Sequence, residues 1–237
     1  MNDLSTLIHD ATVWLLVILS IVTWVLIVVK VLQTRKAHAQ SQQFVELFWT
    51  SKNLSDAVTK SNTHEGPAAR VAQTGFETLI QADEKSHSDL QHSWSRQDLL
   101  ERHLRKQILI ERRQLDKGSA VLASIGNNAP FIGLFGTVFG IIHALKAIAV
   151  SGSASMDVVA GPIGEALVAT GLGIAVAVPA VLAYNYFIRK VKTIGAELDD
   201  FGTDFVSLNQ KQGFIVPNSK AVAPQQVKQQ RAEEALA

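Results

Sequence analysis

The apolar residues of this chain are gathered into three blocks instead of being spread at the spacing of a half-buried surface helix. Residues 11–29 carry no formal charge, 119–150 carry Lys146 alone, and 158–188 carry Glu165 alone. At about 1.5 Å per helical residue each block is long enough to cross a hydrocarbon core about 30 Å thick. The pattern therefore predicts an all-α protein with three transmembrane helices, at 11–29, 119–150 and 158–188, embedded in a lipid bilayer. Asp3 and Asp10 precede the first block and no basic residue does, so it reads as a retained anchor, not a cleaved leader.

The polar stretches between and after the blocks also read as helical. Residues 43–49 suggest a short amphipathic helix, broken by the Asn-Thr-His-Glu-Gly-Pro run at 62–67. Pro67 suits the first turn of a helix over 68–82, and Ser86, His87 and Ser88 offer caps for the next. That next helix places Leu100, Leu104 and Ile108 on one face, with Asp98/Arg102 and Glu101/Arg105 spaced as i,i+4 pairs. No stop is read between 88 and 150, so it is expected to enter the second span as one rod of about 90 Å. Pro130 and Pro179 are the expected kinks, each lacking the N–H its helix needs. The third span continues through Ile194, Leu198, Phe201 and Phe205 to about 212, and the Pro/Gln/Ala/Lys-rich 213–237 reads as a disordered tail.

Charge adds orientation. The formal net charge is +1, yet every Lys and Arg except Lys146 lies in 30–117 or after Tyr186. Because cytoplasmic segments retain basic residues, 1–10 and 151–157 are expected in the periplasm, and 30–118, 189–212 and the tail in the cytoplasm. The same sorting explains the basic stretches without nucleic acid. There is no cysteine, no phosphate-binding glycine loop, no paired metal-ligand histidines and no nucleophile elbow. No enzyme, metal or cofactor is expected.

The candidate chemistry lies inside the blocks. Gly136, Gly140 and Ala144 recur every four residues, as do Ala169, Gly173 and Ala177, and with Gly133 they form small-residue stripes that let helix backbones approach closely. Glu165 has two readings. A carboxylate in a span costs about 2.5–3.5 kcal/mol, which marks a proton-binding group; alternatively, with Pro162 in the first turn, it caps the third helix and meets its dipole. Thr137 and Thr170 could hold water or a carboxyl, or merely bond their own helix backbones. Thr170 stands about 140° around the helix from Glu165. His143 and Lys146 read as side chains that snorkel towards the outer interface.

The run Ala-Pro-Phe-Ile-Gly-Leu-Phe-Gly-Thr-Val-Phe-Gly at 129–140 resembles the second-span signature of the MotA/TolQ/ExbB proton channel family. Gly-Pro-Ile-Gly-Glu-Ala-Leu-Val-Ala-Thr-Gly at 161–171, followed by Ala-Val-Pro-Ala-Val-Leu-Ala-Tyr-Asn at 177–185, is similar to its third span. The wording is nearest the ExbB branch. The resemblance implies a bacterial inner-membrane protein forming a homopentamer around an ExbD-like single-span partner that contributes a membrane Asp. Glu165, Thr137 and Thr170 then fall on polar pore-lining positions. Proton flow would energise a TonB-like protein for outer-membrane transport; a TolQ-like role in envelope maintenance and a non-conducting membrane scaffold are the alternatives.

Overall fold

The computed structural model describes residues 3–84, 95–152, 155–211 and 213. Six helices are present among them: α1 (Asp3–Trp49), α2 (Leu54–Thr63), α3 (Pro67–Glu84), α4 (Arg96–Asp116), α5 (Ser119–Ser151) and α6 (Met156–Lys211). The described residues contain no strand. Helices α1, α5 and α6 are each long and apolar enough to span a membrane. The 56 residues of α6 correspond to about 84 Å, far more than a bilayer core needs. The chain divides into two compact units, Met1–Thr34 with Asp116–Val191, and Arg35–Leu115 with Lys192–Ala237.

In the first unit the usual distribution of polarity is inverted. α1 turns Trp14, Ile18, Ile21, Val25, Val28 and Leu32 outward while burying Ser5, Thr12, Thr23, Lys30 and Thr34. Lipid favours that outer face, and the inward hydroxyls lose little because they bond their own helix. Thr12 Oγ1 donates to the Ile8 carbonyl at 2.7 Å, Thr23 Oγ1 to that of Leu19 at 2.8 Å, and Thr34 Oγ1 to that of Lys30 at 2.7 Å. Small and branched side chains fill the centre, where Leu16, Ile125, Ala129, Val176, Ala177 and Ala180 cluster.

The expected rod from α4 into the second span does not form. α4 stops at Asp116 and α5 starts at Ser119, with Gly118 between them at φ 86°. A left-handed residue ends the helix where glycine is least penalised. Lys30 secures the break: its Nζ donates to the Lys117 carbonyl at 2.9 Å and lies 5.8 Å from the centre of the Phe187 ring. Beyond the break, α5 runs through Pro130, and α6 through Pro162 and Pro179.

The second unit has an aromatic core. Phe48 meets Phe201 at a ring separation of 5.2 Å and Phe76 meets Phe205 at 4.9 Å, both edge-on. Gly75 leaves room for the Phe205 ring, which would come within 2.5 Å of a Cβ there. Residues 43–49 are the end of α1 and not a separate helix, because nothing between 30 and 49 breaks the pattern. The first break is instead at 50–53, where Asn53 caps α2 by accepting the Asp56 N–H at 2.8 Å. Gly66, at φ 122°, then leads into α3 at Pro67.

α4 joins α3 through a buried carboxylate: Arg70 Nε and Nη2 donate to Glu111 Oε1 and Oε2 at 2.7 and 2.5 Å, and Gln107 adds a third bond at 2.7 Å. The pairing raises the Arg70 pKa above its ordinary value. Glu101 and Arg105 pair at 3.9 Å, and Asp98 Oδ2 accepts from Ser95 Oγ at 2.6 Å at the helix start. The caps assigned to Ser86, His87 and Ser88 lie outside the described residues, as does the tail from 214.

Candidate functional site

The seam between α5 and α6 is built from absent side chains. A Cβ on Gly133 would lie 2.7 Å from the Ala169 carbonyl oxygen and 3.1 Å from the Cα atoms of Gly173 and Thr170. One on Gly173 would lie 2.7 Å from the Ala129 carbonyl oxygen. Further along, Gly136 faces the Ala169 methyl at 3.0 Å and Gly140 the Ala166 methyl at 2.5 Å by the same measure. Ala177 belongs to the adjoining apolar cluster. The backbones of the two helices are therefore in near contact, and a larger residue at Gly133 or Gly173 would separate them.

Thr137 and Thr170 meet across this seam. Thr137, 6% exposed, donates its hydroxyl to the Leu134 carbonyl at 2.6 Å, and Thr170 Oγ1 donates to Thr137 Oγ1 at 3.4 Å. Thr137 thus uses its proton on its own helix while its oxygen serves the other helix. The pair is a short relay of hydroxyls in an otherwise apolar seam.

Glu165 is not at this seam. It is exposed, on the side of α6 where Gly161 lies one turn before it and Gly164 adjoins it, and a Cβ on either glycine would meet nothing within 4 Å. The capping alternative for Glu165 is overturned by the helix start. α6 begins at Met156 and has Asp157 in its first turn, so Glu165 stands more than two turns in, beyond the reach of the helix-end dipole. Pro162 likewise lies inside the helix instead of in its first turn. The structure thus brings Thr137 and Thr170 together and sets Glu165 on a separate, open face of small residues.

α1 supplies a third wall that the sequence reading missed. Thr12 Cγ2 lies 3.1 Å from the Cβ position of Gly136, and His9 Cδ2 lies 3.5 Å from that of Gly140. His143 Nδ1 sits 3.3 Å from Thr6 Oγ1 of α1, while Lys146 is exposed. The signal was present as a seven-residue repeat of inward positions, Leu16, Thr23, Lys30, Ala37 and Phe44, the period of a packed helix seam.

The model of the MotA/TolQ/ExbB proton channel family matches residues 63–200, which include this entire seam and the Glu165 face. The chain belongs to that family. Among curated relatives, an ExbB biopolymer transport protein of Neisseria meningitidis is 41% identical over 202 residues, covering 83% of this chain and 90% of the relative. ExbB of Xanthomonas campestris is 34% identical over 193 residues, 80% of this chain and 76% of the relative. A Tol-Pal system protein TolQ of Pseudomonas aeruginosa is 30% identical over 198 residues, 81% and 84% of the two chains. The chain is thus an ExbB-type member of the family, more distant from TolQ. Family membership and three apolar helices make it a multi-pass inner-membrane protein of channel type.

Proposed function

We propose that the chain is the proton-channel subunit of an inner-membrane motor which, with an ExbD-like single-span partner, uses the proton motive force to energise outer-membrane transport through a TonB-like protein. The placement of Glu165 carries this reading. An exposed carboxylate on an apolar span, flanked by glycines that touch nothing in their own chain, is costly against lipid, by about 2.5–3.5 kcal/mol, but fits a cavity enclosed by several copies. A homopentamer arranged with this face inward would gather the carboxylates around a central helix of the partner. Small residues beside Glu165 leave that helix room to approach and to move.

In this arrangement Glu165 takes up a proton and returns it, and the Thr170–Thr137 hydroxyl pair offers a second polar step, inside the α5–α6 seam. The N-terminus and the 151–157 segment face the periplasm, and 30–118 and the C-terminus face the cytoplasm. A TonB-linked role is favoured over TolQ-like envelope maintenance because identity to the ExbB relatives, up to 41%, exceeds the 30% found with TolQ.

Proton flux into liposomes tests the reading. One ring of carboxylates has no opposing charge and no moving element, so the purified chain alone should conduct poorly, and co-reconstitution with the ExbD-like partner should produce current. Strong flux from the chain without a partner, or none with it, contradicts the proposal.

A further inference from the structure

The two helices that pack against each other in the second unit carry opposite charges on their outward sides. α4 buries Leu100, Leu104, Ile108, Glu111 and Leu115. At helical spacing on the opposite side stand exposed Lys106, Leu109, Ile110 and Arg113. α6 buries Leu198, Phe201 and Phe205, and its opposite side exposes Asp200 and Asp204. Among the described residues none of Lys106, Arg113, Asp200 and Asp204 has an ion-pair partner, whereas Arg112 is bonded to Asp199 and Arg105 to Glu101.

Their heights correspond as well. α4 and α6 run antiparallel: Arg112 bonds Asp199, Ile108 Cδ1 lies 3.3 Å from the Cβ position of Gly202, and Leu104 and Phe205 both close on Gly75. That register sets Lys106 level with Asp204 and Arg113 within about a turn of Asp200. In a ring generated by rotation about an axis parallel to these helices, every copy keeps its height, so equal levels on neighbouring copies meet.

We propose that the Lys106–Arg113 face of α4 docks on the Asp200–Asp204 face of α6 in the next copy of this chain. The inference rests on the ring in the proposed function and adds the surface that closes it. The contact is head-to-tail, the kind that generates a closed ring. Leu109 and Ile110, 46% and 36% exposed in the single chain, are the apolar centre that it covers. The flanking charges select the acidic face and reject basic ones; solvated ion pairs of this kind contribute more to partner choice than to affinity.

The chain has no cysteine, so cross-linking is clean. Two differently tagged chains, one Lys106→Cys and the other Asp204→Cys, are co-expressed with the ExbD-like partner and mildly oxidised. Because each chain has a single thiol, a mixed covalent dimer reports contact between copies. It should be the main covalent product, several-fold above a control pairing Lys106→Cys with Ala196→Cys, eight residues or about 12 Å along α6. Native-size complexes without the mixed dimer, or with no more than the control, overturn the proposal. In addition, Lys106→Glu/Arg113→Glu should weaken assembly at low salt, and adding Asp200→Lys/Asp204→Lys should restore it; helical, membrane-inserted chains that do not recover also overturn it. Cross-linking is read without proton flux, so its failure leaves the channel reading standing, and a failure of flux leaves the cross-link intact.

Discussion

A glycine inside a lipid-embedded helix is informative only once its direction is known. Gly133 and Gly171 are indistinguishable by letter and both lie in apolar runs, but a Cβ on Gly133 would lie 2.7 Å from the Ala169 carbonyl oxygen and one on Gly171 would meet nothing within 4 Å. Gly133→Val should therefore force α5 and α6 apart, at about 1–3 kcal/mol as for other overpacked sites, and lower the melting temperature of the detergent-solubilised protein. Gly171→Ala should leave that temperature unchanged; an equal fall in both would contradict the assigned directions. The sequence already singled out Glu165 as the lone acid in its block and Thr137 and Thr170 as polar interruptions. It could not separate a cap from an exposed site at Glu165, because that distinction depends on where α6 starts. The meeting of the two threonines across the seam depends on α5 packing against α6, which the spacing within either helix does not encode.

Among the elements, the long apolar helices were legible because length and absence of charge suffice. The break at Gly118 was not, since an amphipathic helix and an apolar one join there without loss of helical pattern, and one glycine costs a helix only about 1 kcal/mol. What fixes the break includes the Lys30 ammonium, 87 residues away from the Lys117 carbonyl it holds. The link between α3 and α4 is equally non-local. Glu111 is 1% exposed, and its carboxyl oxygens accept from Arg70 and Gln107. Arg70→Met should cost about 3 kcal/mol by leaving a buried carboxylate without its cation, whereas Arg70→Met/Glu111→Leu should recover most of it. Thermal unfolding of the three proteins measures this; a double variant no better than the single would mean that the pair's worth lies elsewhere.

For the whole molecule, the exposed apolar surface of α1 suits a lipid-embedded helix, and the charge sorting predicts which side each segment faces. The orientation is checked by single cysteines at two exposed positions, Ser155 beyond α5 and Thr59 in α2. An impermeant maleimide should label Ser155→Cys once the outer membrane is permeabilised, and Thr59→Cys only after the inner membrane is opened; the reverse order would invert the topology. In the proposed assembly Glu165 carries the proton. A proton crossing releases about 2.3 kcal/mol per 100 mV, and none of it reaches a motor whose channel has no group to receive the proton. The most direct measurement is energised uptake by cells expressing Glu165→Gln, with native-gel analysis of the complexes from the same cells. Glutamine keeps the size and hydrogen bonding of the side chain and removes only the titratable site, so complexes should assemble at least as well as wild type while uptake is lost. Near-normal uptake by intact Glu165→Gln complexes would contradict the account.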